Sequence, residues 1–404
     1  MMDPGSDLRR TGMRWAPATK RAVLLLCLGL VAWVVLWSIT SPRAGYDTLW
    51  YELFGLRYAG ATEQQQVAES WAVFAAYADP DVVARHTDAW PWQGHDDPSR
   101  QRWVGLYQMR PVFPILVAAT HPLAGEAATL TPSVMAVVIF TLAVGLAAWT
   151  LLGPAGSAVL LLLSFANPLF AGWLIHLTTD GLGLALWAAM LLFAARWIQD
   201  GTRGWLVALL MVSLVAAFNR QTGVVLTLSL GFLTVVALGA RQDVWRRLAA
   251  ATFATAVPIT LFSVYGMVAG LPTFADMLQD TPTRHFLNPE HPNLPRYVLA
   301  KVVEQAPVLL DRLLAEPHLW IPSVLGMLGL ALARTWWAWL FLTSLVFLPV
   351  LHFVHPILTE ANRTLAPAWF NVHVGLVLLA SIAVARFARP SRLLPSPSST
   401  QPSG

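Results

Sequence analysis

Apolar runs of about twenty residues recur along the whole chain, and short polar segments separate them. One helix of that length crosses the roughly 30 Å hydrocarbon core of a bilayer. The pattern predicts about ten spanning helices, at residues 22–40, 128–151, 155–173, 180–198, 204–218, 221–240, 249–270, 319–333, 336–355 and 365–386. We therefore predict an all-α fold, a polytopic membrane helix bundle whose single transmembrane domain covers residues 1–386.

Composition and charge narrow the class of protein. The 404 residues are 56% hydrophobic and 12% charged, whereas soluble domains are roughly 25% charged, so a soluble enzyme with one anchor is disfavoured. The net charge of +4 is too small for a nucleic-acid-binding surface, and no nucleic-acid partner is predicted. Cys27 is the single cysteine, which excludes an internal disulfide.

The arginines between the predicted helices indicate the orientation of the bundle. If the basic N-terminus is cytoplasmic, the arginine-bearing turns near 196–203, 241–247, 334 and 386–392 all fall on the cytoplasmic side, as the positive-inside rule requires. In that arrangement 18 of the 22 acidic residues lie outside or at the outer rim. We predict a multi-pass protein with both termini inside. A chain rich in Ala, Leu, Arg and Trp with only two lysines favours the cytoplasmic (inner) membrane of a bacterium.

This topology places two long loops outside, residues 41–127 and 271–318, and a Pro/Ser-rich tail at 387–404 that is predicted to be disordered in the cytoplasm. The segment 110–125, RPVFPILVAATHPLAG, is a further candidate span, which would reverse every later helix. Its three prolines and short length favour a helix at the outer interface instead.

Amphipathic helices are predicted in the first outer loop. One runs from an Asp47 cap to Tyr58, with Gly60 as its stop. The next opens with the capping-box pair Thr62 and Gln65. Its apolar residues recur at helical spacing: Val67, Trp71, Phe74, Ala75 and Ala78.

Asp47 directly follows the first span, in an aromatic and acidic stretch with Tyr46, Trp50, Tyr51 and Glu52. A half-buried carboxylate can act as a general base, and the neighbouring rings can stack on a ring of a bound ligand. The structural alternative for Asp47 is a helix N-cap, and the two roles are compatible.

Three arginines, Arg110, Arg220 and Arg363, fall outside or at the outer rim. A guanidinium group binds phosphate through paired, charged hydrogen bonds, which suits a lipid-phosphate ligand. The alternative is an arginine that snorkels to lipid headgroups or pairs with Glu360. Asp180, at the outer end of a later span, either caps its helix or lines the site.

Two histidine-bearing segments raise the question of a metal: GHDDPS at 94–99, with His95, Asp96 and Asp97, and TRHFLNPEHPN at 283–293. Neither has the ligand spacing of a metal site, so a solvated turn and a proline-rich loop are favoured. No cofactor and no metal ligand is predicted, and a divalent metal stays an unsupported alternative.

Taken in chain order, these features resemble the C-type membrane glycosyltransferases (GT-C fold), which use polyprenyl-phosphate sugars as donors. The resemblance is carried by the acidic stretch after the first span, MRPVFPIL at 109–116, DGLGLALWAAMLLF from Asp180, FNRQTGVVL with Arg220, and TEANRTLAPAW with Glu360 and Arg363.

The resemblance implies a GT-C-like fold that transfers a hexosyl or pentosyl group from a polyprenyl-phosphate carrier to a glycan, lipid or protein acceptor of the cell envelope. It implies that Asp47 is catalytic and that the active site faces the extracytoplasmic side, among membrane lipids. The implied substrate-binding residues are Tyr46, Trp50, Tyr51, Glu52, Arg110, Asp180, Arg220, Glu360 and Arg363. Two alternatives stay open. One is a transporter or flippase for lipid-linked sugars, which is disfavoured because no internal repeat is found. The other is a non-catalytic protein of the same fold.

Overall fold

The computed structural model describes residues 17–87, 98–283, 293–354 and 361–387, and every regular element in these ranges is helical. The helices are α1 Pro17–Thr40, α2 Tyr46–Tyr58, α3 Glu63–Tyr77, α4 Pro80–His86, α5 Pro98–Gln108, α6 Val112–Ala124, α7 Thr131–Ala143, α8 Trp149–Ala166, α9 Pro168–Leu174, α10 Thr179–Asp200, α11 Arg203–Ala217, α12 Gly223–Gly239, α13 Trp245–Ala269, α14 Phe274–Gln279, α15 Leu294–Ala315, α16 Pro317–Ala333, α17 Trp336–Val354 and α18 Ala361–Phe387. The predicted all-α fold is confirmed for this part of the chain.

Several helices are suited to a membrane. Within the described ranges, four helical segments are long and apolar enough to cross it, and a fifth results if the bent pair α15 and α16 counts as one span. The four are Val112–Ala166, Thr179–Asp200, Trp245–Ala269 and Ala361–Arg386. Shorter apolar helices cover Cys27–Thr40, Arg203–Ala217, Gly223–Gly239 and Trp336–Val350. Each of the ten predicted segments is largely helical, and the number of spans and their direction stay predictions.

Helix α10 forms the centre of the bundle. Most of its side chains are buried, and its Trp187 is fully enclosed. Trp187 donates from Nε1 to Oδ1 of Asn371 on α18 (3.3 Å), and the amide nitrogen of Asn371 donates to the carbonyl of Phe341 on α17 (2.8 Å). Polar groups enclosed among apolar helices need such partners, and these bonds fix α10, α17 and α18 against one another.

The helices after the first span pack on one another rather than lying separately. Helix α2 contacts α3 and α6 extensively. Its aromatic residues form a core with two rings from α5 and α6, and the buried members include Trp50, Tyr51, Phe54, Tyr107 and Phe113. The short chain before α2 is held by a backbone bond from the N–H of Leu177 to the carbonyl of Arg43 (2.8 Å), which joins this region to the start of α10.

The predicted helix ends are partly right. The capping box of Thr62 and Gln65 is confirmed, and Gly60 ends the preceding helix with a positive φ of 86°. The N-cap of α2 is Gly45 and not Asp47, which lies inside the first turn. The buried residues of α3 are Gln66, Ser70, Val73 and Phe74, and only Phe74 belongs to the predicted apolar stripe.

The second predicted outer loop contains regular structure. Residues 274–279 form α14 and residues 294–315 form the long helix α15. Arg102 of α5 pairs with Asp276 of α14, which ties the two segments predicted as outer loops together. The predicted disordered tail lies outside the described residues, apart from Phe387 at the end of α18.

Candidate functional site

Four of the predicted site residues meet in one cluster of ion pairs. Asp47 comes from the first turn of α2, Asp180 from the first turn of α10, Arg363 from the first turn of α18, and Arg220 from the turn between α11 and α12. Arg363 lies between the two carboxylates, and Arg220 pairs with Asp180. Charged side chains distant in sequence thus converge where apolar helices end.

Asp47 is held on both carboxylate oxygens. Arg363 Nη2 lies 2.5 Å from Oδ2, and the hydroxyl of Tyr107 donates to Oδ1 at 3.0 Å. Burial alone would raise the pKa of Asp47, but the charge and hydrogen bond of Arg363, with smaller contributions from Arg110 and Tyr107, lower it to about 2. The carboxylate is therefore fully ionised near neutral pH, and it is a weak base while Arg363 stays in place.

Asp180 is the most enclosed member of the cluster, with 4% of its side chain exposed. Its Oδ2 accepts from Nε of Arg363 (3.0 Å) and from the hydroxyl of Thr178 (2.7 Å). The N-cap of α10 is Thr178, so the interpretation of Asp180 as a helix cap is wrong. A carboxylate this enclosed is stable as an ion because two guanidinium groups and a hydroxyl bind it.

Arg220 and Arg110 add positive charge beside the ion pairs. Burial and the neighbouring charges of Arg363 and Arg110 lower the pKa of Arg220 to about 9, which leaves it charged at neutral pH. Arg110 donates from Nη1 to the hydroxyl of Tyr51 (3.1 Å). Among the described residues, three guanidinium groups therefore face two carboxylates, an excess of one positive charge.

The backbone around the cluster is fixed by the turn before α10. The hydroxyl of Tyr51 lies 3.1 Å from that of Thr179, and the amide of Asn219, which is fully buried, donates to the carbonyl of Thr179 at 2.9 Å. Gly183, one turn into α10, allows Arg220 to lie close, since a Cβ there would be 3.3 Å from its Cδ. These contacts hold the arginine turn against the start of α10.

His176 is joined to the cluster through Thr178. The single hydroxyl proton of Thr178 goes to the carboxylate of Asp180, which can only accept. The 3.3 Å contact between Nδ1 of His176 and Thr178 Oγ1 is therefore donated by the imidazole, which places the proton on Nδ1. Burial, followed by the charge of Arg363, lowers the pKa of His176 to about 4, with Arg43 adding to the effect and Asp47 opposing it. The ring is thus neutral near pH 7.

Two of the three aromatic residues predicted to contact a sugar are enclosed. Trp50 and Tyr51 are buried, and Trp50 stacks on Tyr107 at a centroid distance of 5.9 Å. Tyr46 stacks on the ring of His86 at 4.1 Å. Trp50 and Tyr51 are therefore enclosed by other side chains, which does not fit stacking on a sugar. Tyr46 is partly exposed, and its contact with a sugar stays a prediction.

Glu52 lies away from the ion-pair cluster. It is 1% exposed, and its Oε2 accepts no hydrogen bond from the described residues. Burial raises the pKa of Glu52 to about 7, the charges of Glu69 and Glu126 add to the rise, and the hydroxyl of Thr129 opposes it. The predicted substrate contact of Glu52 has no geometric support.

Some predicted residues lie outside the described part of the chain, namely Glu360, the 94–97 portion of GHDDPS and residues 284–292 of the second histidine-bearing segment. In the part that is described, no group of three His, Cys, Asp or Glu side chains is placed to hold a metal ion.

Sequence reasoning missed Tyr107, Thr178 and Asn219 as members of the site. Asn219 directly precedes Arg220, and Thr178 stands two residues before Asp180, so proximity to the predicted charges was a usable signal. Tyr107 lies sixty residues from Asp47 along the chain, and nothing in its local sequence connects the two.

Comparisons with known proteins add nothing to this picture: no family model, no curated protein and no solved structure matches the chain significantly. Inferences about activity therefore depend on the geometry and chemistry of the cluster.

Proposed function

We propose that the protein is an integral membrane glycosyltransferase that moves a sugar from a polyprenyl-phosphate carrier to a cell-envelope acceptor at the extracytoplasmic face. The observation that supports this best is the cluster in which, within the described part of the chain, Arg110, Arg220 and Arg363 outnumber Asp47 and Asp180. An excess of enclosed positive charge attracts an anion, and guanidinium groups suit phosphate. A cluster at the ends of apolar helices suits a phosphate whose hydrocarbon chain stays in the bilayer.

The donor phosphate binds by competing with the carboxylates. In the free protein Asp47 and Asp180 occupy the donor groups of Arg363. The phosphate oxygens take over these hydrogen bonds, and the arginines then stabilise the charge that develops on the phosphate as the sugar leaves. Asp47 thereby loses the partner that contributes most to its low pKa, and it becomes a stronger base when the donor is bound.

The reaction is a single displacement. The acceptor hydroxyl oxygen bonds to the anomeric carbon of the sugar, the bond from that carbon to the phosphate oxygen breaks, and its electron pair stays on the phosphate. The hydroxyl proton passes to Asp47. One such step inverts the configuration at the anomeric carbon, and one carboxylate is enough for it.

The test compares Asp47→Asn with the unchanged protein in detergent, using radiolabelled polyprenyl-phosphate sugars. Water serves as a slow acceptor, so release of sugar is measurable before the acceptor is identified. We expect Asp47→Asn to abolish release. Glu52→Gln, which alters the other carboxylate of the same helix, is the matched control and should keep it.

Binding of unglycosylated polyprenyl phosphate gives a second readout. Because Asp47 competes with phosphate for Arg363, Asp47→Asn should bind this lipid at least as tightly as the unchanged protein, although it cannot turn over. Lipid-linked sugar that crosses liposome membranes without release would favour the transporter instead. Equal release by Asp47→Asn and the unchanged protein would remove Asp47 from the chemistry.

A further inference from the structure

Helix α15 presents an apolar stripe that the described protein does not cover. The stripe consists of Leu299, Val303, Leu310 and Leu314, which are 64%, 69%, 53% and 58% exposed. Spacings of four and seven residues place all four side chains on one side of a helix. Large apolar side chains this exposed, in a row about four turns long, indicate a binding surface.

The rest of α15 is divided between the bundle and water. Gln305, 5% exposed, lies on the side that faces the bundle, roughly 120° or more around the helix from the stripe. Glu304 and Asp311, seven residues apart, are exposed and lie on a third side. A helix with an exposed apolar stripe beside an exposed charged side is typical of segments at a membrane surface.

The direction of α15 follows from its neighbour. Helix α16 packs closely on α18, a candidate span, and glycines make this approach feasible. Gly326 contacts Val372 and Gly329 contacts Gly375, so residue numbers rise together and the two helices run parallel. The same offset along the chain places Pro317, the first residue of α16, level with Arg363.

α15 meets α16 at a bend of 98°. If α16 crosses the bilayer beside α18, α15 runs nearly in the membrane plane. It also lies at the membrane face that carries the ion-pair cluster, because Pro317 and Arg363 are at the same level. α16 itself exposes apolar side chains such as Ile321, Val324 and Leu328, as a lipid-facing helix does.

We propose that α15 lies flat in the interfacial layer of the bilayer, at the face of the ion-pair cluster, with its apolar stripe against lipid acyl chains and its charged side in water. The partner is the lipid surface itself. This inference is independent of the proposed enzymatic activity, because it uses only the direction of α15 and the exposure of its side chains.

The experiment measures the depth of single sites in phosphatidylcholine liposomes. Cys27→Ala provides a background without native thiols, and single cysteines replace the stripe residues, the charged residues Glu304 and Asp311, and, as a depth scale, Ile321, Leu325 and Leu328 of α16. Each is spin-labelled, and its collisions with oxygen, which partitions into lipid, and with a water-soluble nickel complex are compared.

We expect spin labels at the four stripe positions to collide more often with oxygen than with the nickel complex. All four should lie at one shallow depth, roughly 5–10 Å below the membrane surface. The labels at 304 and 311 should favour the nickel complex, and those at 321, 325 and 328 should become steadily deeper. A helix that crosses the bilayer would instead change depth by about 22 Å between positions 299 and 314, which would overturn the proposal. Two other results would also overturn the proposal. Stripe labels that collide mainly with the nickel complex would mean that the stripe faces water. Stripe labels that neither reagent reaches would mean that another protein surface covers the stripe.

Discussion

Two carboxylates of the same short helix have opposite environments. Asp47 and Glu52 stand five residues apart on α2 and both are largely buried. Asp47 accepts hydrogen bonds from Arg363 and Tyr107, and its pKa falls to about 2. Among the described residues, no cation lowers the pKa of Glu52, and burial raises it to about 7.

The difference lies in which elements each residue faces. Asp47 points to the start of α18 and to α5, which supply an arginine and a tyrosine. Glu52 lies near Glu69, Glu126 and Thr129, and Glu69 in turn pairs with His121 at 3.4 Å. Burial raises the pKa of both carboxyl groups, and only a guanidinium partner reverses the effect. The charges of the cluster are therefore kept ionised by one another.

Removal of Arg363 is expected to have the largest effect. Arg363→Gln leaves Asp47 and Asp180 enclosed with fewer positive partners, and breaking a buried pair in this way costs about 3–5 kcal/mol. We expect a clear loss of thermal stability in detergent and a fall in sugar release on the order of 10²–10³-fold. Melting temperature and release are measured on the same preparations.

A double variant separates the lost pair from general damage. Arg363→Gln with Asp47→Asn removes both partners, and should recover part of the stability that Arg363→Gln loses, because an unpaired carboxylate is no longer buried. Arg57→Gln, on an exposed part of α2, is the matched arginine control and should change little. If the double variant were no more stable than Arg363→Gln, the ion pair would not be what stabilises Asp47.

The sequence predicts the helices well because the apolar runs are long and carry their own signal. It also identifies Asp47, Asp180, Arg220 and Arg363, since charges at the ends of apolar helices are costly and stand out. What it misses is partner choice. No local sequence pattern indicates that Arg363 pairs with both Asp47 and Asp180, which lie 316 and 183 residues away along the chain.

The predictions for the aromatic stretch and for the second outer loop are wrong for another reason. Trp50 and Tyr51 were expected to face a sugar, but tertiary packing with Tyr107 and Phe113 encloses them. Residues 294–315 hold five charged side chains, so they do not read as an apolar span. Its role depends on its angle to α16, which no local pattern contains.

Glu52→Gln tests the other side of the contrast. The folded protein raises the pKa of Glu52 from 4.5 to about 7, so the folded state favours the protonated form. The contribution of Glu52 to the free energy of unfolding is then fully present below pH 4.5 and is lost as the pH rises through about 7, by about 3 kcal/mol in total. Glutamine resembles the protonated acid, and Glu52→Gln should raise the melting temperature by several degrees at pH 8 and hardly at all at pH 5.

Glu63→Gln is the control for this comparison, because Glu63 is exposed at the start of α3. It should alter the melting temperature little and equally at both pH values. If Glu52→Gln and the unchanged chain had the same melting temperature at every pH, the pKa of Glu52 would be ordinary. Of the two carboxyl groups, only Asp47 would then have a pKa shifted by its surroundings.

The smallest effect is expected at Thr178, which links the cluster to His176. Thr178→Val removes the donor to Asp180 and the acceptor of the imidazole Nδ1–H. Because the arginines still hold Asp180, the loss of stability should be about 1 kcal/mol.

The tautomer of His176 is a sharper readout than stability. In protein labelled with ¹⁵N-histidine, with His176→Gln used to assign the signal, we expect His176 to carry its proton on Nδ1 in the unchanged chain, whereas Thr178→Val should give a mixture of both tautomers. Thr178→Ser keeps the hydroxyl and should keep the Nδ1–H form. A signal identical in all three proteins would mean that Thr178 does not orient the ring, and His176 would then be uncoupled from the carboxylate that the two arginines hold.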